Sequence, residues 1–164
     1  MFKDKLKDMV HKFLKNEYGV IGAAPFELDP FTFVLNYLPA TASVTTNQTF
    51  GVQADSAFVW VKGVAVVTAT DNTTFNTTGS WPFLFTLSDS GSGRDLSDSG
   101  VHLYNMFGTA PQPFILSKPK IFDPNSSITG KMQNLSATSY NVRLAFHGFK
   151  VFGSVAAYKR SRIR

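Results

Sequence analysis

The sequence of 164 residues contains no cysteine. This absence excludes disulfide bonds, thiolate zinc sites, iron–sulfur clusters and a cysteine nucleophile. Charged residues make up only 16% of the chain, below the roughly 25% of an average soluble domain, and only two of them are glutamates. Because helical bundles and coiled coils draw heavily on glutamate and lysine, this scarcity argues against both.

Long apolar runs are missing as well. No stretch approaches the roughly 20 apolar residues that a membrane-spanning helix needs, so we expect no membrane span. The opening residues, MFKDKLKDMVHKFLK, place charges where a signal peptide needs its apolar segment. We therefore expect synthesis in the cytoplasm.

Aromatic residues, by contrast, are abundant. The chain contains 16 Phe, 5 Tyr and 2 Trp, and 43% of its residues are apolar. Aromatic and β-branched residues favour strands, whereas Gly, Asn, Asp and Ser favour the turns between them. A chain of this length suits one domain with a core of its own. The composition therefore predicts an all-β domain.

Positive charge is concentrated at the two ends of the chain. The formal net charge of +5 divides into +2 for residues 1–18, −2 for residues 19–147 and +5 for residues 148–164. The body is thus mildly acidic, and the basic excess belongs to the ends. This distribution favours an attachment role for the ends over a basic, nucleic-acid-binding body.

The N-terminal residues 1–22 form a predicted amphipathic arm. The helical periodicity gives an apolar stripe, a candidate docking surface, that consists of Phe2, Leu6, Met9, Val10, Phe13 and Leu14. A helix this short is marginal alone, so its stripe needs a surface to cover it. Three surfaces fit: the helix's own domain or a neighbouring copy, another assembly protein, and a membrane. Acidic residues on the basic side of the helix disfavour the membrane.

Residues 23–153 carry about eight predicted strands. The strongest signal is the apolar run of residues 57–70 (AFVWVKGVAVVTAT), in which Gly63 is a candidate bulge. Within the predicted strand of residues 140–152, the side chains of Tyr140, Val142, Leu144 and Phe146 alternate with those of Asn141, Arg143, Ala145 and His147, as expected of an antiparallel strand with one solvated face. No internal repeat is present. We predict an all-β fold, an antiparallel β-sandwich of the jelly-roll type with a short N-terminal helix.

The last segment, residues 154–164, is a predicted basic tail. Its candidate contacts are Lys159, Arg160, Arg162 and Arg164. These side chains suit the phosphates of nucleic acid or an acidic protein surface, and a solvated tail without a partner fits them equally well.

No arrangement of residues indicates catalysis. His11, His102 and His147 lie on separate predicted elements without a metal-binding spacing. No G-x-S-x-G nucleophile motif is present. We therefore expect no enzymatic activity, no cofactor and no metal.

The loop of residues 88–100 (SDSGSGRDLSDSG) is the nearest approach to an ion site. Asp89, Asp95 and Asp98 supply oxygen donors of the kind that calcium prefers, but they lack the EF-hand spacing and its closing glutamate. Turns capped by aspartate side chains are the better explanation of this loop.

Two segments stand in a characteristic order within residues 50–152: residues 55–60 (DSAFVW) and residues 89–97 (DSGSGRDLS). In this order they resemble a class of small bacteriophage virion proteins. The resemblance continues through Phe107-Gly108, residues 113–116 (PFIL), Lys118-Pro119, Ile121-Phe122, Ser126-Ser127-Ile128, Asn134-Leu135-Ser136 and residues 148–152 (GFKVF). It implies a structural component of the particle, of the capsid-decoration, vertex or head–tail type. It implies no catalytic residues.

The sequence and the resemblance together predict a non-enzymatic β-sandwich that oligomerises and attaches to a capsid through its terminal arms. The expected partners are a major capsid or portal-type protein and copies of the chain itself, and the expected location is the virion. The alternative is a carbohydrate- or host-receptor-binding sandwich, whose mark is an exposed Trp60, Trp81 or Tyr104. A nucleic-acid contact through the tail is less favoured.

Overall fold

The computed structural model describes residues 2–18, 27–76 and 81–152. Within these ranges the chain forms one α-helix, nine strands and a short 3-10 helix at Leu103–Asn105. The other elements, in chain order, are α1 (Phe2–Tyr18), β1 (Glu27–Ala40), β2 (Thr45–Gly51), β3 (Ser56–Thr68), β4 (Phe83–Asp89), β5 (Arg94–Asp95), β6 (Val101–His102), β7 (Phe114–Phe122), β8 (Ser127–Asn134) and β9 (Tyr140–Phe152).

The strands form two antiparallel sheets. The first sheet has the order β1-β9-β3-β7, and the second has the order β2-β8-β4-β5, with β6 also paired to β4. Strands β1 and β2 are therefore edge strands on one side of the molecule, and β5, β6 and β7 form the edges on the other side. The predicted antiparallel all-β fold with an N-terminal helix is confirmed.

The main core lies between the two sheets. In β9 the side chains of Val142, Leu144 and Phe146 enter this core, while Arg143 and Ala145 face outwards, so the predicted alternation of this strand is confirmed. Aromatic rings fill the centre of the core and meet in stacked and edge-to-face pairs. These rings belong to Phe33, Phe50, Phe58, Trp60, Phe85, Phe107, Phe122 and Phe146.

Strand β3 is buried along nearly its whole length and contains a bulge near its middle. The register against β9 shifts between Trp60 and Lys62, close to the bulge expected at Gly63. The indole Nε1 of Trp60 donates a hydrogen bond to the carbonyl oxygen of Lys62 at 2.8 Å. The first half of β3 is covered on both faces, because α1 lies on the outer face of its sheet.

Apolar residues at 101–107, 114–116 and 121–122 predict three separate strands, and the structure differs at all three. Residues 101–107 form a two-residue strand followed by the 3-10 helix, and residues 114–122 form one continuous strand. The polar loop also contains the two-residue strand β5, whose Asp95 and Arg94 pair with Ser88 and Asp89. Short edge pairings of this kind leave no periodic pattern in a sequence.

Candidate functional site

The apolar stripe of α1 packs on the outer face of the first sheet. Val10, Phe13 and Leu14 are buried there, and Leu6 and Met9 are partly buried. The sheet residues beneath them are Leu28, Ala57, Val59, Val61, Phe149 and Val151. The ammonium of Lys118 on β7 lies 5.9 Å from the centre of the Phe13 ring. The side chain of Phe2 lies outside the described residues.

This packing leaves the lysine side of α1 as the side that a partner protein could contact. The lysine side of α1, with Lys5, Lys7, Lys12 and Lys15, is exposed, whereas the apolar stripe is in contact with the chain's own sheet. Of the surfaces considered for the stripe, the helix's own domain is the one found. Attachment of the helix to another assembly protein stays a prediction, and in this structure the lysine side is the part available for it.

The C-terminal contacts lie elsewhere. Lys159, Arg160, Arg162 and Arg164 are outside the described residues, so the proposed tail contacts stay a prediction. The basic excess counted for residues 148–164 needs one correction, because Lys150 is a buried residue of β9. Its ammonium is hydrogen-bonded to the side-chain oxygen of Gln53 and lies 4.0 Å from the centre of the Phe31 ring.

A groove of about 310 Å³ opens beside the first turns of α1. Its polar lining comes from Thr32 on β1, Lys62 on β3 and His147 on β9. The Oγ1 of Thr32 lies 2.9 Å from the Nδ1 of His147. Burial, and to a lesser degree the charge of Lys62, lowers the pKa of His147 below its ordinary value. The groove therefore holds a neutral imidazole at neutral pH.

This lowered pKa predicts a loss of stability in acid. As pH falls below about 6.5, the unfolded chain binds a proton at His147 before the folded chain does, so the free energy of unfolding decreases until the folded pKa is passed. Urea unfolding between pH 7.5 and pH 5 should show this decrease, and His147→Gln should make it shallower. If the free energy of unfolding decreases equally steeply with falling pH in the unchanged chain and in His147→Gln, His147 is not the cause of the decrease.

The polar loop after β4 is organised by one buried carboxylate. The Oδ1 of Asp89 accepts a hydrogen bond from the backbone N–H of Gly91 at 2.9 Å, and its Oδ2 accepts one from the Oγ of Ser92 at 2.8 Å. The Nζ of Lys120 on β7 lies 3.7 Å from the same Oδ2. The Oγ of Ser90 accepts a hydrogen bond from the backbone N–H of Ser127 at 2.7 Å. Asp89 therefore closes a turn and ties it to the neighbouring strands.

The other aspartates of the loop have separate local partners. Asp95 accepts a hydrogen bond from the Oγ of Ser88 at 2.5 Å, and Asp98 accepts one from Ser99. Within the described ranges no group of three or more His, Asp or Glu side chains is placed to hold a metal ion. The explanation of this loop by aspartate-capped turns is supported at Asp89.

Two of the three aromatic residues named for sugar stacking are not accessible. Trp60 and Trp81 are buried in the core between the sheets, because their large rings fill the space where the sheets meet. Tyr104 is 45% exposed and its ring stacks on that of His102, with centroids 5.3 Å apart. Of the three residues named as marks of the sugar-binding alternative, only Tyr104 is therefore exposed.

No model of a known protein family matches the chain, and no curated protein sequence matches it. The resemblance to bacteriophage virion proteins stays a prediction. In the part of the chain that the structure describes, no helix has the length and apolar character needed to cross a membrane.

Proposed function

We propose that this chain is a non-enzymatic structural component of a bacteriophage virion. In this proposal the sandwich is a jelly roll that forms homo-oligomers and attaches to the capsid through its terminal segments, as a decoration, vertex or head–tail protein. Its partners are a major capsid or portal-type protein and copies of itself.

The strand order is the observation that carries the proposal. In a jelly roll two Greek keys wrap eight strands into two sheets, and this architecture is common in viral capsid proteins. The orders β1-β9-β3-β7 and β2-β8-β4-β5 agree with that arrangement if β5 and β6, which both pair with β4, count as one broken strand. The same architecture occurs in lectins, but the buried Trp60 and Trp81 remove most of the support for sugar binding.

The residues that carry the resemblance have packing roles, which supports a structural protein. Asp89 closes the turn of the polar loop. A Cβ atom on Gly91 would lie 2.9 Å from the Cβ of Ser126, and one on Gly148 would overlap the carbonyl oxygen of Val59. The segments that carry the resemblance therefore hold neighbouring strands and turns in close contact, as a rigid assembly unit requires.

The positions of the basic residues guide the choice of attachment segment. The exposed lysines of α1 and the basic tail both suit an acidic partner surface. Removing α1 would also uncover apolar sheet residues, so deletion of the helix cannot separate attachment from folding. Substitutions of exposed or terminal residues leave the core intact, so they can separate attachment from folding.

Attachment is tested by incorporation into particles during infection. The first variant changes Lys159, Arg160, Arg162 and Arg164 to Gln, and the second changes Lys5, Lys12 and Lys15 to Gln. We expect at least one of them to reduce the amount of this chain in density-gradient-purified particles about tenfold or more, because each lost ion pair with the partner weakens binding. The thermal unfolding midpoint of both variants should match that of the unchanged chain.

The matched control changes Lys131, an exposed residue of β8, to Gln and should leave incorporation unchanged. Incorporation of both arm variants at the level of the control would contradict attachment through the termini. Absence of the unchanged chain from particles would contradict the proposed function as a whole.

A further inference from the structure

Among the described residues, no further strand pairs with the side of the sandwich formed by β1 and β2, and the only charged residues of these two strands, Glu27 and Asp29, lie at the start of β1. Among the described strands, β1 pairs only with β9, and β2 pairs only with β8. Residues 30–54, which include nearly all of β1 and the whole of β2, contain no Asp, Glu, Lys, Arg or His. Free strand edges present unpaired N–H and C=O groups, and monomeric proteins usually protect them with charges.

The opposite side of the sandwich carries this protection. Its edge strand β7 contains Lys118 and Lys120, and β5 consists of Arg94 and Asp95. Between Pro30 and Pro39, by contrast, β1 has no charged side chain that would oppose pairing.

Exposed apolar side chains mark the same edge. Phe31, Val34 and Leu38 on β1 and Val44 just before β2 are all large hydrophobic residues with more than a third of their surface exposed. Pro30 and Pro39 lie near the ends of β1, where a residue without an N–H stops a ladder of hydrogen bonds. Between them is a proline-free stretch of residues 31–38.

We propose that this edge pairs with the same edge of a second copy, antiparallel and about a two-fold axis beside Val34. In this register Val34 lies next to Val34 of the second copy, and Thr32 lies opposite Asn36. Asp29 lies opposite the second copy's Pro39, so no like charges meet. The two four-stranded sheets then join into one continuous eight-stranded sheet.

The dimensions of the edge suit a reversible dimer with a small interface. Eight residues of strand are about 27 Å long, and two sheets about 10 Å apart give a side roughly 20 Å wide. Such a side buries roughly 500 Å² on each copy, or about 1,000 Å² in total, which reaches the lower bound for a specific interface.

This inference names the contact between copies that the proposed function requires. Because it is measured on the purified chain, its failure is distinguishable from that of the proposed function. A chain that enters particles but does not self-associate would overturn only the edge pairing, and a chain that self-associates but is absent from particles would overturn only the virion role.

The test introduces a charge at the proposed axis and measures self-association of the full chain by sedimentation velocity from 1 to 100 µM. Val34→Lys and Val34→Glu each place two like charges side by side, so each should weaken self-association at least tenfold. An equimolar mixture of the two variants should restore it, because Lys then faces Glu.

Ile115→Lys on the opposite edge is the matched control, because Ile115 is 47% exposed and Val34 is 44% exposed. It should change the dissociation constant by less than twofold, and all variants should keep the near-ultraviolet circular dichroism of the unchanged chain. A monomeric unchanged chain at 100 µM overturns the proposal. So does a Val34→Lys protein that associates as well as the control, or a mixture that does not re-associate.

Discussion

Gly148→Ala is expected to lower the free energy of unfolding by about 3 kcal/mol or more. Gly148 lies in β9 between β1 and β3, opposite Phe31 on one side and Trp60 on the other. A Cβ atom at this position would overlap the carbonyl oxygen of Val59 and lie 2.9 Å from the ring of Phe58. Because a backbone oxygen cannot rotate away as a side chain can, the two central strands must separate to accept the methyl group.

The measurement is urea unfolding followed by tryptophan fluorescence, since Trp60 lies beside the affected pairing. Gly51→Ala in β2 is the matched control, because a Cβ atom there meets no other atom within 4 Å. The control should leave stability unchanged within about 0.5 kcal/mol. Equal midpoints for the two variants would show that β3 and β9 are not packed as described.

The second large effect is expected from Val10→Asp in α1. Val10 is fully buried between the helix and the outer face of the first sheet. A carboxylate there loses its hydration without gaining a partner, so the helix is expected to leave the sheet, at a cost of about 3 kcal/mol. Its departure uncovers Val59, Val61 and Phe149, and an exposed apolar patch of this kind promotes dye binding and aggregation.

Limited proteolysis and binding of an apolar fluorescent dye measure this change. Asn16→Asp is the matched control, because it adds the same charge to an exposed position of the same helix. We expect rapid cleavage of α1 and strong dye binding for Val10→Asp, and neither for Asn16→Asp. Resistance of both variants to proteolysis would mean that the contact of α1 with the sheet contributes little.

The sequence predicts best those features that depend on neighbours along the chain. The alternation in β9, the apolar run of β3 and the stripe of α1 are local periodicities, and each one matches an element of the structure. Strand pairing is different, because the paired residues of β1 and β9 are at least 100 residues apart and nothing local specifies their register.

The same limit explains what was missed in the candidate sites. An apolar stripe indicates that a helix is covered, but it does not identify the covering surface, which proved to be the chain's own sheet. Trp60 and Trp81 give no local sign of which face of the sheet they occupy. Lys150 was counted with the basic end because its charge is visible in the sequence and its burial is not.

The uncharged part of the β1 side, however, can be recognised in the sequence itself. A run of 25 residues without a charge, from residue 30 to residue 54, is visible without any structure. Its meaning becomes clear only when β1 and β2 are found to be edge strands on one side of the sandwich.

The most direct test of the proposed virion role is the copy number of this chain in purified particles. Quantitative mass spectrometry of gradient-purified particles, washed at physiological ionic strength so that ion pairs are kept, gives its ratio to the major capsid protein. A structural component that forms homo-oligomers is expected at a constant ratio in independent preparations, with more than one copy in each particle. A ratio that varies between preparations, or loss of the chain from intact particles, would contradict the proposed role.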